Sequence, residues 1–208
     1  MRAIFLDRDG VICENRPDYV KSWREFEFLP GAKQSLAALR YLGLPIIVVT
    51  NQSAIGRGIV STNDVETIHH RMTAEIQAYG GHITHVYCCP HHPEEGCDCR
   101  KPQPGMLLQA AQDLGIDLSC SYMVGDAATD LLAGQQAGCH SILVLTGRGL
   151  TQLPRALGSV NKQFTITRNL MQAAGYIYRL ERQPVQSLHP DEFDNLQPQE
   201  FKLLTGNI

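Results

Sequence analysis

The chain has 208 residues, 43% of them hydrophobic and 19% charged, which is enough apolar material for one folded domain and too much for a disordered chain. Lys plus Arg number 18 and Asp plus Glu 21, a net charge of -3, so there is no basic excess to neutralise a nucleic-acid backbone. The longest apolar run, residues 44–49, is far too short to span a bilayer, and the N-terminus reaches Asp7 before a signal-peptide segment could form. A cytoplasmic monomer with no nucleic-acid or membrane partner is the expectation.

Residues 3–6 are a short apolar run that stops at Asp7. Residues 32–42 place Leu36, Leu39 and Leu42 on one helical face, which Gly43 can close. Residues 45–50 are dense in β-branched side chains, as in a strand covered on both faces. Ser61-Thr62-Asn63 offers a cap to a helix one face of which carries Val65, Ile68, Met72, Ile76 and Tyr79, and Gly80-Gly81 ends it. Residues 84–88 predict a third strand. Pro104 suits the first turn of a helix that buries Leu107, Ala110, Ala111 and Leu114 and stops at Gly115. Strands over 122–124 and 141–145 flank a helix over 128–137. A last strand over 163–167 and a last helix over 170–180 follow. Alternating strands and helices predict an α/β domain with a parallel sheet covered on both faces. After Arg182 the chain turns polar, interrupted by Pro184, Pro190 and Pro198. The expected organisation is one domain over 1–180 and a tail over 181–208.

The most informative segment is Asp7-Arg8-Asp9-Gly10, two carboxylates two residues apart at the end of a strand. Open parallel sheets bind ligands beyond the carboxyl ends of their strands. A second acidic group, Gly125-Asp126 with Asp130, follows the strand over 122–124. Neighbouring strands would bring Asp7, Asp9 and Asp126 to one edge, where their mutual repulsion calls for a hard, oxygen-bound cation, Mg²⁺. Thr50-Asn51-Gln52-Ser53 after the second strand offers donors to a phosphate, and Arg100-Lys101-Pro102 supplies positive charge.

In this order the four segments resemble those of the haloacid dehalogenase superfamily of phosphotransferases: D-x-D-G at Asp7 to Gly10, a Thr ending a strand at Thr50, a Lys at Lys101, and G-D-x-x-x-D at Gly125-Asp126 and Asp130. The resemblance covers residues 1 to about 180 and implies a Rossmann-like three-layer fold. It implies Asp7 as nucleophile, Asp9 as acid and base, and Mg²⁺ held by Asp7, the Asp9 main-chain carbonyl and Asp126. Lys101 and Thr50 would then stabilise the transferring phosphoryl group.

Seven cysteines lie at 13, 88, 89, 97, 99, 120 and 139. An odd number in a chain read as intracellular argues against a disulfide framework, and a cluster of four suggests a metal. Cys89-x-His91 and Cys97-x-Cys99 offer three sulfurs and an imidazole, a closed structural set for zinc. Cys88 and His92 are alternative ligands on spacing alone. The arrangement C-P-H-H-P … C-x-C-R-K-P resembles the D-glycero-D-manno-heptose 1,7-bisphosphate 7-phosphatases and the related histidinol-phosphatases. That narrower resemblance implies a zinc loop in place of a bulky cap domain, with Cys89, His91, Cys97 and Cys99 as ligands. It implies substrate contacts at Asn51, Gln52, Ser53 and Arg100, and a bordering loop over 15–20. Val11 and Cys13 stand where that family often has Thr and Asn, and Ala127 where it commonly has Lys. The leading reading is therefore a Mg²⁺-dependent sugar-phosphate phosphatase, with histidinol-phosphate phosphatase as the alternative. A zinc-loop binding module without turnover is disfavoured by the intact Asp7, Asp9, Lys101 and Asp126.

Overall fold

The computed structural model describes residues 1–160 and 163–182. Six strands, β1 (Ile4–Leu6), β2 (Ile46–Asn51), β3 (His85–Cys89), β4 (Tyr122–Gly125), β5 (His140–Val144) and β6 (Thr165–Thr167), form one sheet in the order β3-β2-β1-β4-β5-β6. Every pairing is parallel, with Ile4 of β1 set against Ile46 on one side and Tyr122 on the other. The helices are α1 (Ala32–Arg40), α2 (Ser53–Gly56), α3 (Thr62–Ala78), α4 (Gly105–Leu114), α5 (Ala128–Ala137), α6 (Gly149–Ser159) and α7 (Leu170–Arg182). Among the described residues no helix is long and apolar enough to cross a membrane.

Alternation along the strands divides the core into two layers. Ile4, Leu6, Ile46, Val48 and Val124 pack with Leu36 of α1, Ile68 and Met72 of α3 and Ile177 of α7. Phe5, Ile47, Val49 and Met123 face the other way, onto Leu107 and Ala110 of α4 and Ala133 of α5. Burying one such aliphatic side chain is worth roughly 1.5–3 kcal/mol. Two apolar faces therefore force helices onto both sides of the sheet, the α/β layering expected from the sequence. Ser61 caps α3 by accepting the Asp64 N–H.

Helix α6 was not expected, because Pro154 lies inside it and a proline normally breaks a helix. Leu153 and Ala156 nonetheless pack on Leu131 and Leu143, and that burial holds the helix together. Pro104 precedes α4 rather than occupying its first turn. Glu181 and Arg182 continue α7; the rest of the expected tail, 183–208, lies outside the described residues.

Strand order runs outward from β1 in both directions, so the chain reverses its progression between β1 and β4. In open α/β sheets such a switch point, at the carboxyl ends of the strands, opens a crevice. Asp7 and Asp126 both stand there.

Candidate active site

Asp7 follows β1 directly, and its N–H donates to the Val124 carbonyl of β4 at 2.9 Å. The next turn needs glycine. Gly10 has φ +84, and a Cβ on it would collide with the Asp126 carboxylate; one on Gly147 would do the same. Asp126, wholly buried, also accepts the Arg148 N–H at 2.8 Å.

Lys101 anchors the opposite side. Its Nζ lies 2.9 Å from Asp7 Oδ1 and 2.7 Å from Asp130 Oδ1, and donates to the Val49 carbonyl at 2.8 Å. The Asn51 amide donates to the Lys101 carbonyl at 3.0 Å and accepts the Lys101 N–H at 3.1 Å, which fixes the lysine backbone to the end of β2. Burial disfavours the ammonium, but Asp130 and Asp7 outweigh it and hold Lys101 above its ordinary range.

Two carboxylates pair with this ammonium, and a third, Asp126, is approached by Arg148 Nη2 at 3.4 Å. Burial pushes Asp7 up to about 7, with Asp130, Asp126 and Asp9 adding to the rise and Lys101 opposing it. Burial and then Asp130 raise Asp126 as well. Asp130 is committed to Lys101 and to the Ala127 N–H, 2.9 Å from its Oδ2. Oxygen ligands of Asp7, Asp126 and Asp130 lie within 4.8 Å of one another. The cluster is short of positive charge and rich in oxygen donors, so it fits a hard divalent cation.

Asp9 sits differently. Its Oδ1 accepts from Arg8 Nη2 at 2.9 Å, and its Oδ2 from Gln52 Nε2 at 2.8 Å. Burial alone would raise its carboxyl, but the Arg8 charge and these hydrogen bonds bring it below the ordinary carboxylate range. Gln52 also donates to Thr50 Oγ1 at 2.8 Å. Thr50 is fully buried, and the cleft is lined by its neighbours Asn51, Gln52 and Ser53 instead.

The cleft over Asp7 has a volume of about 450 Å³. Asp7, Asp9 and Lys101 line it, and so do four further arginines, Arg16, Arg57, Arg100 and Arg148. Arg100 was singled out from sequence, and its Nη1 is buried without a hydrogen-bond partner. Arg16, Arg57 and Arg148 were not, because nothing in their own spacing marks them. The loop over 15–20 borders the cleft as expected, and Tyr19 within it adopts φ 68, an uncommon conformation for a residue with a side chain.

The cysteine loop begins where β3 ends. Cys89 Sγ lies 3.6 Å from His91 Nδ1 and 3.6 Å from Cys97 Sγ. Cys99 Sγ lies 3.2 Å from His91 Nδ1 and 3.5 Å from Cys97 Sγ. These four residues could hold a metal ion. The two alternatives are engaged elsewhere: the His92 ring accepts the Glu94 N–H, and Cys88 packs against Ala54, Val60 and Val65. The loop leads directly into Arg100 and Lys101, and the Gly105 N–H ties it back to the Asp98 carbonyl at 3.1 Å.

A sheet of this order with paired aspartates after β1 and a lysine facing them defines a hydrolase site of the haloacid dehalogenase type, and the HAD-hydrolase-like family model matches residues 98–170. The D-glycero-β-D-manno-heptose-1,7-bisphosphate 7-phosphatase of Pseudomonas aeruginosa is 40% identical over 154 residues, 74% of this chain and 86% of that protein. The protein of that name from Vibrio cholerae is 42% identical over 166 residues, 76% of this chain and 89% of its own length. The crystal structure of D,D-heptose 1,7-bisphosphate phosphatase from B. bronchiseptica, complexed with magnesium and phosphate, matches with a TM-score of 0.82 at 36% identity, covering 86% of this chain and 99% of that one. The chain belongs to the D-glycero-D-manno-heptose 1,7-bisphosphate 7-phosphatase family of haloacid dehalogenase-like hydrolases.

Proposed function

We propose that the protein is a Mg²⁺-dependent phosphatase that removes the 7-phosphate of D-glycero-D-manno-heptose 1,7-bisphosphate through an aspartyl-phosphate on Asp7. The observation that carries the reading is the placement of Asp7 at the switch point, with Lys101 Nζ 2.9 Å from its Oδ1. That contact and the Arg8 N–H at 2.7 Å both engage Oδ1, so they orient the carboxylate without engaging Oδ2. The names of the relatives and the magnesium and phosphate of the B. bronchiseptica structure support the substrate and the ion.

Asp7 attacks phosphorus while Asp9 protonates the departing sugar oxygen. The negative charge of an arriving phosphate offsets Arg8 and favours the protonated form of Asp9 that this step requires. Asp9 then takes a proton from the water that cleaves the acyl-phosphate. Lys101, fixed by Asp130 and Asn51, stabilises the charge on the transferring group, and Thr50, buried beneath the cleft wall, accepts from Gln52 and would reach the phosphoryl group only if Gln52 moved aside. Asp7, the Asp9 main-chain carbonyl and Asp126 are the residues that would hold Mg²⁺, which when bound screens one anion from the other.

Cys89, His91, Cys97 and Cys99 hold a structural zinc in this reading. A tetrahedron with Zn–S bonds of about 2.3 Å has edges of about 3.8 Å. The sulfur–sulfur separations of 3.6 and 3.5 Å support a site of that size. Arg100, positioned by this loop, binds the distal part of the substrate, with Asn51, Gln52 and Ser53 along the same wall. The test is a phosphate-release screen over heptose 1,7-bisphosphate, histidinol phosphate, fructose 1,6-bisphosphate and 3′-phosphorylated DNA, with and without Mg²⁺. Preference for heptose bisphosphate is expected; preference for histidinol phosphate would reassign the substrate, and no release from any would remove the phosphatase reading.

A further inference from the structure

Helix α3 carries a residue that the mechanism above does not use. His69 lies on its buried face with Val65, Ile68, Met72 and Ile76, the only ionisable side chain in that group. Its Nε2 is 3.1 Å from Arg8 Nη1. Burial and the neighbouring Arg8 charge push the imidazole down to about 3, so the ring is neutral and Nε2 is free to accept the guanidinium proton. The Arg8 side chain is 1% exposed. Its other terminal nitrogen, Nη2, donates to Asp9 Oδ1 at 2.9 Å and to Gln52 Oε1 at 3.1 Å. Gln52 in turn donates to the second Asp9 oxygen. Both oxygens of the acid–base carboxylate thus depend on a guanidinium whose far end is held from α3.

We infer that His69 is a positioning residue for the acid–base step: by holding Arg8 Nη1 it fixes the guanidinium plane, and through it the Asp9 carboxylate. A guanidinium is a rigid planar fork, so orienting one terminal nitrogen orients the other. Remove the acceptor and Nη1 loses the hydrogen bond it makes and is left buried like Arg8 Nε, which has no partner. The fork then turns to find one, and the Asp9 hydrogen bonds move with it. A displaced general acid harms an alkyl phosphate more than an aryl phosphate, because a phenolate departs without protonation whereas a sugar alkoxide does not. The value of kcat/KM reports the steps up to departure of that group, so it isolates the acid role from later hydrolysis.

This inference rests on the phosphatase reading, and the experiment separates the two. His69→Leu, His69→Asn and His69→Gln are compared with the wild type on heptose 1,7-bisphosphate and on 4-nitrophenyl phosphate, with thermal unfolding of each. His69→Leu should lower kcat/KM for the sugar phosphate by about tenfold or more, and for the aryl phosphate by no more than about threefold. His69→Gln, whose side-chain amide reaches as far as Nε2, should stay within about threefold of wild type on both. If the leucine variant does not fold, His69→Asn replaces it, since its shorter amide stops near the Nδ1 position and cannot reach Arg8. Equal losses on the two substrates would overturn the positioning role and leave His69 a packing residue, as would an unaffected leucine or asparagine variant. A wild type that hydrolyses neither compound would refute the heptose bisphosphate reading, and the inference with it.

Discussion

Replacing Asp7 by Asn should abolish turnover and, in metal-free protein, make the fold more stable. Ionised Asp7 is buried among Asp130, Asp126 and Asp9, and its carboxyl is displaced from 3.8 up to about 7 despite Lys101. A carboxyl raised in the folded state favours folding below its unfolded value, and that contribution is lost as the pH climbs through the folded value. Above neutrality this displacement corresponds to roughly 4 kcal/mol acting against the fold. The amide has no charge to desolvate, and the displacement already counts the attraction of Lys101, 2.9 Å away. Discounting it by about half, because a buried charged cluster relaxes and admits water, leaves a net gain of about 2 kcal/mol. For a chain of this size that is roughly 4–8 °C in Tm. The gain should vanish near pH 4, where both proteins are neutral at this position, and open as the pH rises towards about 8. Saturating Mg²⁺ should narrow it by stabilising the wild type, whose ionised carboxylate is the form a cation binds. Thermal and denaturant unfolding in EDTA across this range measure the effect. A variant no more stable than wild type near pH 8, or equally stabilised at pH 4, would refute the electrostatic reasoning. Near-normal turnover by a variant verified free of deamidation would refute the role of Asp7 as nucleophile.

Further outcomes are expected. Elemental analysis after dialysis should find about one tightly held zinc per chain, separate from exchangeable Mg²⁺, and Cys97→Ser or Cys99→Ser should lower zinc content, Tm and activity together; protein prepared without chelator and found zinc-free would count against the ligand set. Arg100→Ala should cost about 1.5–3 kcal/mol in kcat/KM for heptose bisphosphate, the loss of a charge-assisted hydrogen bond, and much less for a small aryl phosphate. Equal costs on the two would show that Arg100 serves the chemical step or the fold. Gly10→Ala should reduce Mg²⁺ affinity in calorimetry, because its Cβ would displace the Asp126 carboxylate; unchanged affinity would mean that the turn yields without moving Asp126.

The central strands β1, β2, β4 and β5 were legible because each is short, apolar and covered on both faces, and the motif aspartates because they sit at or just beyond strand ends. Asp7 and Asp126 are brought together by topology alone: once β1 lies beside β4, residues just past those strands share one edge. Lys101 comes from beyond the cysteine loop and is held at that edge by Asn51 at the end of β2. Helix α6 was not legible, since Pro154 reads as a break and only packing on Leu131 and Leu143 overrides it. Asn51 and Gln52, read from sequence as substrate contacts, line the cleft and through their amides also hold Lys101, Asp9 and Thr50. Residue type announces a donor but not its partner. Arg148 reaches the site from the turn after β5, and nothing in T-G-R-G points to Asp126. Its guanidinium approaches that carboxylate to 3.4 Å, so a cation stands near Asp126 although position 127 holds alanine. His69 did leave a trace in the sequence. It falls on the apolar face of α3, where an ionisable residue needs a buried partner.

The central claim is a covalent phosphoryl intermediate on Asp7, and an acyl-phosphate can be trapped chemically. The protein is mixed with heptose 1,7-bisphosphate and Mg²⁺, quenched in borohydride during turnover, and its peptides are read by mass spectrometry. Reduction of the acyl-phosphate at position 7 alone, absent when substrate is omitted, is the predicted result. Reduction at another aspartate such as Asp9 or Asp126, or no reduction while phosphate is being released, would contradict the account.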